Sequence, residues 1–168
     1  MRLAYLDPHA VPDEIPEALQ ILYTVDALGQ NGVDMHLVTP PARREAQSIL
    51  GRKLSDWVHT HPVSGGRGLL GIRSNRPFYR AATRILRDLS VDAVLVRNLK
   101  MAEHLLREMP DLPLFFETHE LFVQSYREEH PQPGWRKRRK LAELARREGF
   151  VYRHARGLIA LIESSELP

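Results

Sequence analysis

Apolar residues along this chain follow two rhythms: short unbroken runs, and longer stretches in which they recur every three or four positions. Leu3-Ala4-Tyr5-Leu6 is an apolar run closed by Asp7-Pro8 and predicts a short buried strand. Val11 to Glu17 then carries helix-start signals: prolines suited to a first turn, Asp13 able to cap, and acids near the positive end of the dipole. Ile15, Ala18, Leu19, Leu22, Val25 and Leu28 recur at helical spacing, and Asn31-Gly32 supplies a stop. Val33 to Val38 alternates as a strand should and Thr39-Pro40-Pro41 breaks it, completing a βαβ unit. Ala46, Ile49, Leu50, Leu54 and Trp57 next predict a helix between Arg43 and Val58, weakened by Gly51. His59 to Asn75, with its glycines and prolines, reads as a long loop. The alternation then resumes with a helix from Phe78 to Leu89, a strand at Ala93-Val94-Leu95-Val96 and a helix from Leu99 to Met109. Pro110 and Pro113 bracket the turn into a strand at Leu114. Trp135 to Tyr152 reads as a strongly charged helix, and Leu158-Ile159-Ala160-Leu161-Ile162 as a last buried strand.

Nearly continuous apolar strands alternating with helices imply a parallel sheet covered on both faces. The expected fold is α/β, a Rossmann-like three-layer sandwich with a mostly parallel sheet of about six or seven strands. No internal repeat or linker divides the 168 residues, a length suited to one domain with a proper core. Composition adds exclusions. Hydrophobic content of 43% and charged content of 27% are ordinary for a globular chain. The lack of cysteine removes disulfides and thiolate metal sites and fits a reducing compartment. The first apolar run is too short for a signal peptide, and no stretch approaches the roughly 18 apolar residues of a membrane span. A cytoplasmic protein is expected, with any membrane contact peripheral at the inner membrane face.

Candidate chemistry gathers at one end of that sheet. In an open parallel sheet, ligands bind outside the carboxyl ends of the strands. There Leu114-Phe115-Phe116 runs into Glu117-Thr118-His119-Glu120, two carboxylates and an imidazole, closed off by Leu121-Phe122. Arg97-Asn98 follows the preceding strand and so reaches the same edge. The arginine could grip a phosphate or carboxylate of an acceptor with its planar fork, whereas Asn98 could equally cap the next helix. His9 follows the first strand and could face the same crevice or simply be solvated; Ile15 marks the first-helix start beside it. His59-Thr60-His61 has a spacing seen in metal sites, but no third ligand lies nearby in sequence and no metal is expected. Gly65-Gly66-Arg67-Gly68 lacks the Gly-Lys-Ser/Thr ending of a P-loop and does not follow a strand, so these residues read as loop glycines. No nucleophile-elbow pattern is present.

Three stretches resemble the amino-terminal half of the family 4 retaining glycosyltransferases, which have the GT-B architecture. Ala27-Leu28-Gly29-Gln30-Asn31-Gly32-Val33-Asp34-Met35-His36-Leu37-Val38 is similar to the family's helix-glycine-strand passage. Phe116-Glu117-Thr118-His119-Glu120-Leu121 resembles its strand-end His-Asp/Glu-Leu turn, and Gly157-Leu158-Ile159-Ala160-Leu161-Ile162-Glu163-Ser164 its strand running into a Ser-capped helix. The resemblance implies one half of a two-domain enzyme: this half binds the acceptor, and a carboxyl-terminal domain, absent from this chain, holds a nucleotide-diphosphate sugar as donor. No cofactor is then expected on this domain alone. By the same analogy His119 contacts the donor sugar near the reacting carbon, the alternative being that it only caps the turn; Glu117 or Glu120 could fix its tautomer or orient an acceptor hydroxyl. The acceptor would seat between the first-helix start, Arg97-Asn98 and the Glu117 to Glu120 turn. Two departures stand out. The loop Pro8-His9-Ala10-Val11-Pro12-Asp13-Glu14-Ile15 lacks the glycine pair that many relatives place near the donor phosphates, and the donor-binding glutamates of the second domain are not here. The chain thus reads as half an enzyme, inactive alone; the alternative is a non-catalytic α/β binding or partner module.

The run Trp135-Arg136-Lys137-Arg138-Arg139-Lys140 opens a helix, where cations oppose the dipole. A solvated face, docking on an anionic membrane and nucleic-acid binding compete for it, the last weakest because no stacking platform accompanies the charge. A membrane reading suits a lipid-linked acceptor as well as a sugar, and Leu69-Leu70-Gly71-Ile72 with Arg73 and Arg76 could add a second touching element.

Overall fold

The computed structural model describes residues 1–64, 75–118 and 120–160. Strands β1 (Arg2–Leu6), β2 (Asp34–Thr39), β3 (Val58–Pro62), β4 (Ala93–Val96), β5 (Leu114–Thr118) and β6 (Gly157–Ala160) form one sheet in the order β3-β2-β1-β4-β5-β6. Every neighbouring pair is parallel. The helices are α1 (Pro16–Gln30), α2 (Ala46–Leu50), α3 (Arg76–Leu89), α4 (Leu99–Glu108), α5 (Phe122–Glu129) and α6 (Trp135–His154).

Strand periodicity sends alternate side chains to opposite layers. Tyr5, Met35, Leu37 and Leu95 pack under Ile21, Leu22 and Val25 of α1. Ala4, Leu6, Val38, Val94, Val96, Leu114 and Phe116 pack on the other face under Phe78, Ala82 and Leu86 of α3, Met101 and Leu105 of α4, and Val151 of α6. This is the expected Rossmann-like three-layer sandwich. Winding reverses at β1, whose neighbours are β2 on one side and β4 on the other. The carboxyl ends of β1 and β4 therefore diverge into loops that leave toward opposite layers, which opens a crevice.

Four local expectations need correction. The helix expected from Arg43 to Val58 is only the five-residue α2, closed by Gly51 in the left-handed region at φ 70°. The segment after it is instead held to α1 by the buried Asp26 carboxylate, which binds Arg52 and accepts from Ser55 N at 3.0 Å. The stretch read as loop from His59 begins as edge strand β3, in register with β2 at His36↔His59 and Val38↔His61. One of its sides faces outward, so the strand needs few apolar residues and its sequence lacks the usual signature. Asp13 does not cap α1; Ile15 is the N-cap, with Pro16 beginning the helix. Finally, β6 is not buried: Leu158 and Ile159 are 46% and 41% exposed at the sheet's other edge. Gly157 is required there by close approach, since a Cβ would meet the Phe115 ring at 2.9 Å. Helix α5 was not foreseen. The readings placed on Gly65 to Gly68, Leu69 to Ile72, Arg73 and Leu161 to Ser164 lie outside the described residues.

Candidate functional site

A cleft of about 470 Å³ opens above the carboxyl ends of β1 and β4, at the point where the winding reverses. All four residues expected to bind an acceptor, His9, Ile15, Arg97 and Asn98, line it. Each arrives on a different device. His9 sits two residues past the end of β1, where Asp7 accepts both its backbone N and its ring Nδ1 at 2.8 Å. Asp7 is buried while the His9 ring is 58% exposed, so the carboxylate orients the imidazole from beneath. That hydrogen bond raises the His9 pKa above its ordinary value, against the opposing effect of partial burial. Ile15 and Glu17 come from the start of α1.

Asn98 is the N-cap of α4, its Oδ1 accepting from Met101 N at 3.1 Å and from the Tyr79 hydroxyl at 3.3 Å. The capping role thus holds, and it fixes the residue at the cleft wall. Arg97 forms the floor. Its guanidinium is only 6% exposed and donates to Gln20 Oε1 at 3.2 Å and to Glu17 O at 3.4 Å, with Glu117 Oε1 at 3.9 Å.

Glu117 projects from β5 into this same buried network and does not line the cleft. Its Oε2 accepts the Tyr5 hydroxyl at 2.6 Å and its Oε1 accepts Gln20 Nε2 at 2.9 Å. Burial first, then the adjoining Glu117 charge, pushes the Tyr5 hydroxyl well above the usual tyrosine range, so it remains a donor. After the strand, Thr118 Oγ1 donates to Glu120 O at 2.6 Å and tightens the turn. Glu120 is partly buried there. His119 lies outside the described residues.

Several lining groups escaped sequence reasoning. Tyr79 of α3, Lys100 of α4, and Leu144 and Arg147 of α6 complete the walls, beside Phe122 at the start of α5, which the sequence already set against the Glu117 to Glu120 cluster. Lys100, in the first turn after Arg97-Asn98, could have been found from its place after a strand end; the others depend on tertiary packing. Arg147 and the neighbouring Arg107 and Arg146 converge on Glu103, at 2.6, 3.2 and 3.1 Å. Burial alone would raise the Glu103 pKa, but the three arginines outweigh it and hold the carboxyl below its ordinary value. A more polar groove of about 550 Å³ adjoins the cleft and shares Asn75, Tyr79, Lys100 and Arg147 with it.

The remaining candidates lie apart. Register brings His59 and His61 against His36, with His36 Nδ1 and His61 Nε2 2.9 Å apart, and Asp34 Oδ1 within 3.3 Å of His36 and 3.2 Å of His59. Among the described residues, no group of side chains is arranged to hold a metal ion. Trp135, Arg136, Lys137, Arg138, Arg139 and Lys140 form the exposed beginning of α6. No helix among the described residues is long and apolar enough to cross a membrane.

A parallel 3-2-1-4-5-6 sheet with its crevice at the β1/β4 reversal defines a Rossmann-like domain of the kind that makes up one half of a GT-B glycosyltransferase. The sequence profile of glycosyltransferase family 4 matches residues 18–164, and the chain belongs to that family. Among solved structures, the crystal structure of MurG from Acinetobacter baumannii superposes with a TM-score of 0.53 at 14% identity. The match covers 99% of this chain and 43% of that one, so the chain spans less than half the MurG length. At that identity the likeness concerns the fold alone. No curated protein sequence matches the chain.

Proposed function

We propose that this chain is the acceptor-binding half of a retaining glycosyltransferase that moves a sugar from a nucleotide-diphosphate sugar to an acceptor hydroxyl. The observation that carries the reading is the switch-point cleft, in which His9, Ile15, Arg97 and Asn98 converge from separate elements. A second, donor-binding domain closes over this cleft in the whole protein; the similar MurG chain is more than twice as long as the part matched. Bound between the halves, the acceptor hydroxyl and the anomeric carbon become neighbours, which supplies much of the rate through orientation alone. The leaving diphosphate departs on the donor side as the oxocarbenium-like charge develops, and positioned dipoles at the end of β5 balance that charge. His119 donates a hydrogen bond to the donor sugar and Glu120 orients the acceptor hydroxyl. Glu117 acts from below, by keeping Arg97 in place.

The test uses the protein with its complete coding sequence, incubated with a panel of nucleotide-diphosphate sugars and candidate acceptors. Product anomeric configuration is read by NMR. Transfer with retention supports the reading. Transfer with inversion removes the retaining mechanism, and absence of any donor binding in the whole protein turns the assignment to a non-catalytic binding module. In the active protein, His119→Ala should lower kcat by roughly two to three orders of magnitude, the cost of removing one preorganised donor. Unchanged turnover in that variant would remove the site assignment.

A further inference from the structure

Edge strand β3 is fastened to the sheet by side chains that titrate. Register sets His59 beside His36 and His61 beside Val38. Strand alternation turns Asp34, His36, His59 and His61 to one layer, away from Met35 and Leu37 under α1. The three imidazoles form a stack. His36 is the middle ring, 7% exposed, and the centroids of His59 and His61 each lie 5.1 Å from it, tilted by 35° and 28°. Its Nδ1 is 2.9 Å from His61 Nε2, a separation that holds one hydrogen and not two. One carboxylate serves the group. Asp34 Oδ1 lies 3.3 Å from His36 Nε2 and 3.2 Å from His59 Nε2, while Oδ2 accepts Arg2 Nε at 2.8 Å. The neighbouring charges are already engaged: Arg2 also donates to Leu89 O at the end of α3, Asp92 accepts Arg2 N, Arg87 of α3 faces Glu108, and Asp26 of α1, on the other layer, binds Arg52. Among the described residues, no second carboxylate pairs with these rings.

We propose that this stack is a proton-operated clasp: with its rings neutral it fastens His59 to His61 onto β2, and protonation in mildly acidic solution releases that part of β3 while the rest of the sheet stays folded. The inference does not rest on the proposed function. Neutral rings share the hydrogen between His36 and His61 and stack without repulsion. A first proton on the stack is met by Asp34, in competition with Arg2. A second leaves two cationic rings in contact, and full protonation of both His36 and His61 sets two N–H groups against each other at hydrogen-bond distance. His36 belongs to an inner strand and cannot withdraw, so relief comes from β3. That strand has little else to hold it: none of its five residues is buried, and its outer edge pairs with no strand. Anchors on either side confine the release. Ser55 N donates to the buried Asp26, and Val63, 5% exposed, donates its N–H to Thr39 O at 2.8 Å. The sign of the effect agrees. Burial, opposed for His36 by Asp34, together with the adjoining rings holds His36 and His61 below the ordinary 6.5. The closed stack therefore refuses protons that the open strand takes up, and closure is complete above pH 6.5 and lost as pH falls through the lowered values.

Hydrogen exchange of the whole protein, followed by mass spectrometry at about pH 7.5 and about pH 5.5 and corrected for the intrinsic amide rate, tests the clasp. Each refused proton favours opening by about tenfold per pH unit, so protection of His59, Thr60 and His61 should fall by about tenfold to a hundredfold at the lower pH. Protection in β1 and β4 should stay as it was. His61→Gln cannot titrate but can still hydrogen-bond His36, and it should remove most of the fall. His104→Gln, which deletes a buried imidazole on α4, should leave the fall intact. A loss shared equally by β1 and β4 would mean global unfolding and overturn the proposal, as would an undiminished fall in His61→Gln. A second measurement needs no variant: in NMR spectra of the unaltered protein, the His36 and His61 ring signals should titrate together below pH 6.5, in step with the β3 amides. Rings that titrate independently near 6.5 while the β3 amides keep their shifts and protection would equally overturn it.

Discussion

Replacing Tyr5 by phenylalanine should destabilise this protein far more than removal of one surface hydroxyl would. Tyr5 is 0% exposed and its hydroxyl is 2.6 Å from Glu117 Oε2, within a carboxylate that is itself buried. Hydrogen bonds to charged groups contribute about 1.5–3 kcal/mol, and a buried acceptor left unsatisfied costs its full desolvation. Gln20 still donates to the other oxygen at 2.9 Å and Arg97 stands 3.9 Å away, so the carboxylate is not abandoned. The expected loss is therefore about 2 kcal/mol, which in a domain of this size lowers the melting temperature by about 4–8 °C. Glu117→Gln should cost somewhat more, about 3 kcal/mol, because Arg97 loses its buried counter-charge and only one of the two donors, Tyr5 or Gln20, keeps an oxygen acceptor. Urea melts read through tryptophan fluorescence give both values, with slopes checked for constancy. Alkaline titration supplies an independent arm. With its folded pKa raised above the ordinary 10.0, Tyr5 contributes stability that is complete below pH 10 and is lost as pH rises further. The Tyr5→Phe variant should lack that component. A Tyr5→Phe protein within about 0.5 kcal/mol of wild type, the scatter of ordinary surface changes, would refute the account of the floor network.

Two other perturbations follow from the same geometry. Glu103→Ala should cost about 2 kcal/mol in a urea melt: Arg147, 13% exposed, loses its closest partner though it keeps Glu143 at 2.8 Å, whereas the half-exposed Arg107 and Arg146 add little. A loss below about 0.5 kcal/mol would mean the α4–α6 contact is held by packing alone. Acidification from neutrality should also lower the melting temperature. Burial holds His36, His61 and His104 below the ordinary 6.5, so the unfolded chain takes up protons that these rings refuse, and their stabilising contribution falls as pH drops through 6.5. His9, raised by Asp7, works the opposite way, stabilising below 6.5 and losing that contribution as pH rises past its folded value, but it is one ring against three. A melting temperature that is flat or rising as pH falls below 6.5 would contradict this balance.

Where burial is two-sided, the chain spells out its structure. The runs at Leu3, Ala93 and Leu114 are apolar at nearly every position because helices cover both faces, and those strands lie within a residue or so of where the pattern puts them. At the edges the same rule misleads in both directions. Val58-His59-Thr60-His61-Pro62 has only one apolar residue besides its proline yet is a strand, because backbone pairing with β2 and a ring of histidine contacts hold it. Leu158 to Ala160 is apolar yet exposed. The site divides similarly. Residues placed by strand ends, His9, Arg97 and Asn98, could be assigned to one crevice from order alone. What could not be read was direction. Arg97 and Glu117 look like ligand-binding groups in sequence, and nothing local reveals that they turn toward Gln20 and Tyr5, residues 77 and 112 positions away.

That inward turn bears on what the cleft can recognise. A ligand anion that captured Arg97 would have to draw it off Gln20 and leave Glu117 without its nearby cation, and such exchanges of a buried charge are costly. The floor is better suited to set shape and to accept neutral hydroxyls than to select for charge. The rim has no such debt. His9 is held by Asp7 through Nδ1 while more than half of its side chain is exposed, and Lys100 extends from the first turn of α4 with no acid partner among the described residues. Under the proposed function, an anionic group on the acceptor is therefore read at the rim, on the side shared with α6, and the sugar or hydroxyl end goes inward toward β1 and β4. The two classes of residue then fail differently when replaced: floor substitutions reduce stability first and activity as a consequence, whereas rim substitutions change acceptor affinity in a protein that melts normally. The basic tip of α6 belongs with the rim in this division, since its five cations, like Lys100, form no salt bridge with an acid among the described residues.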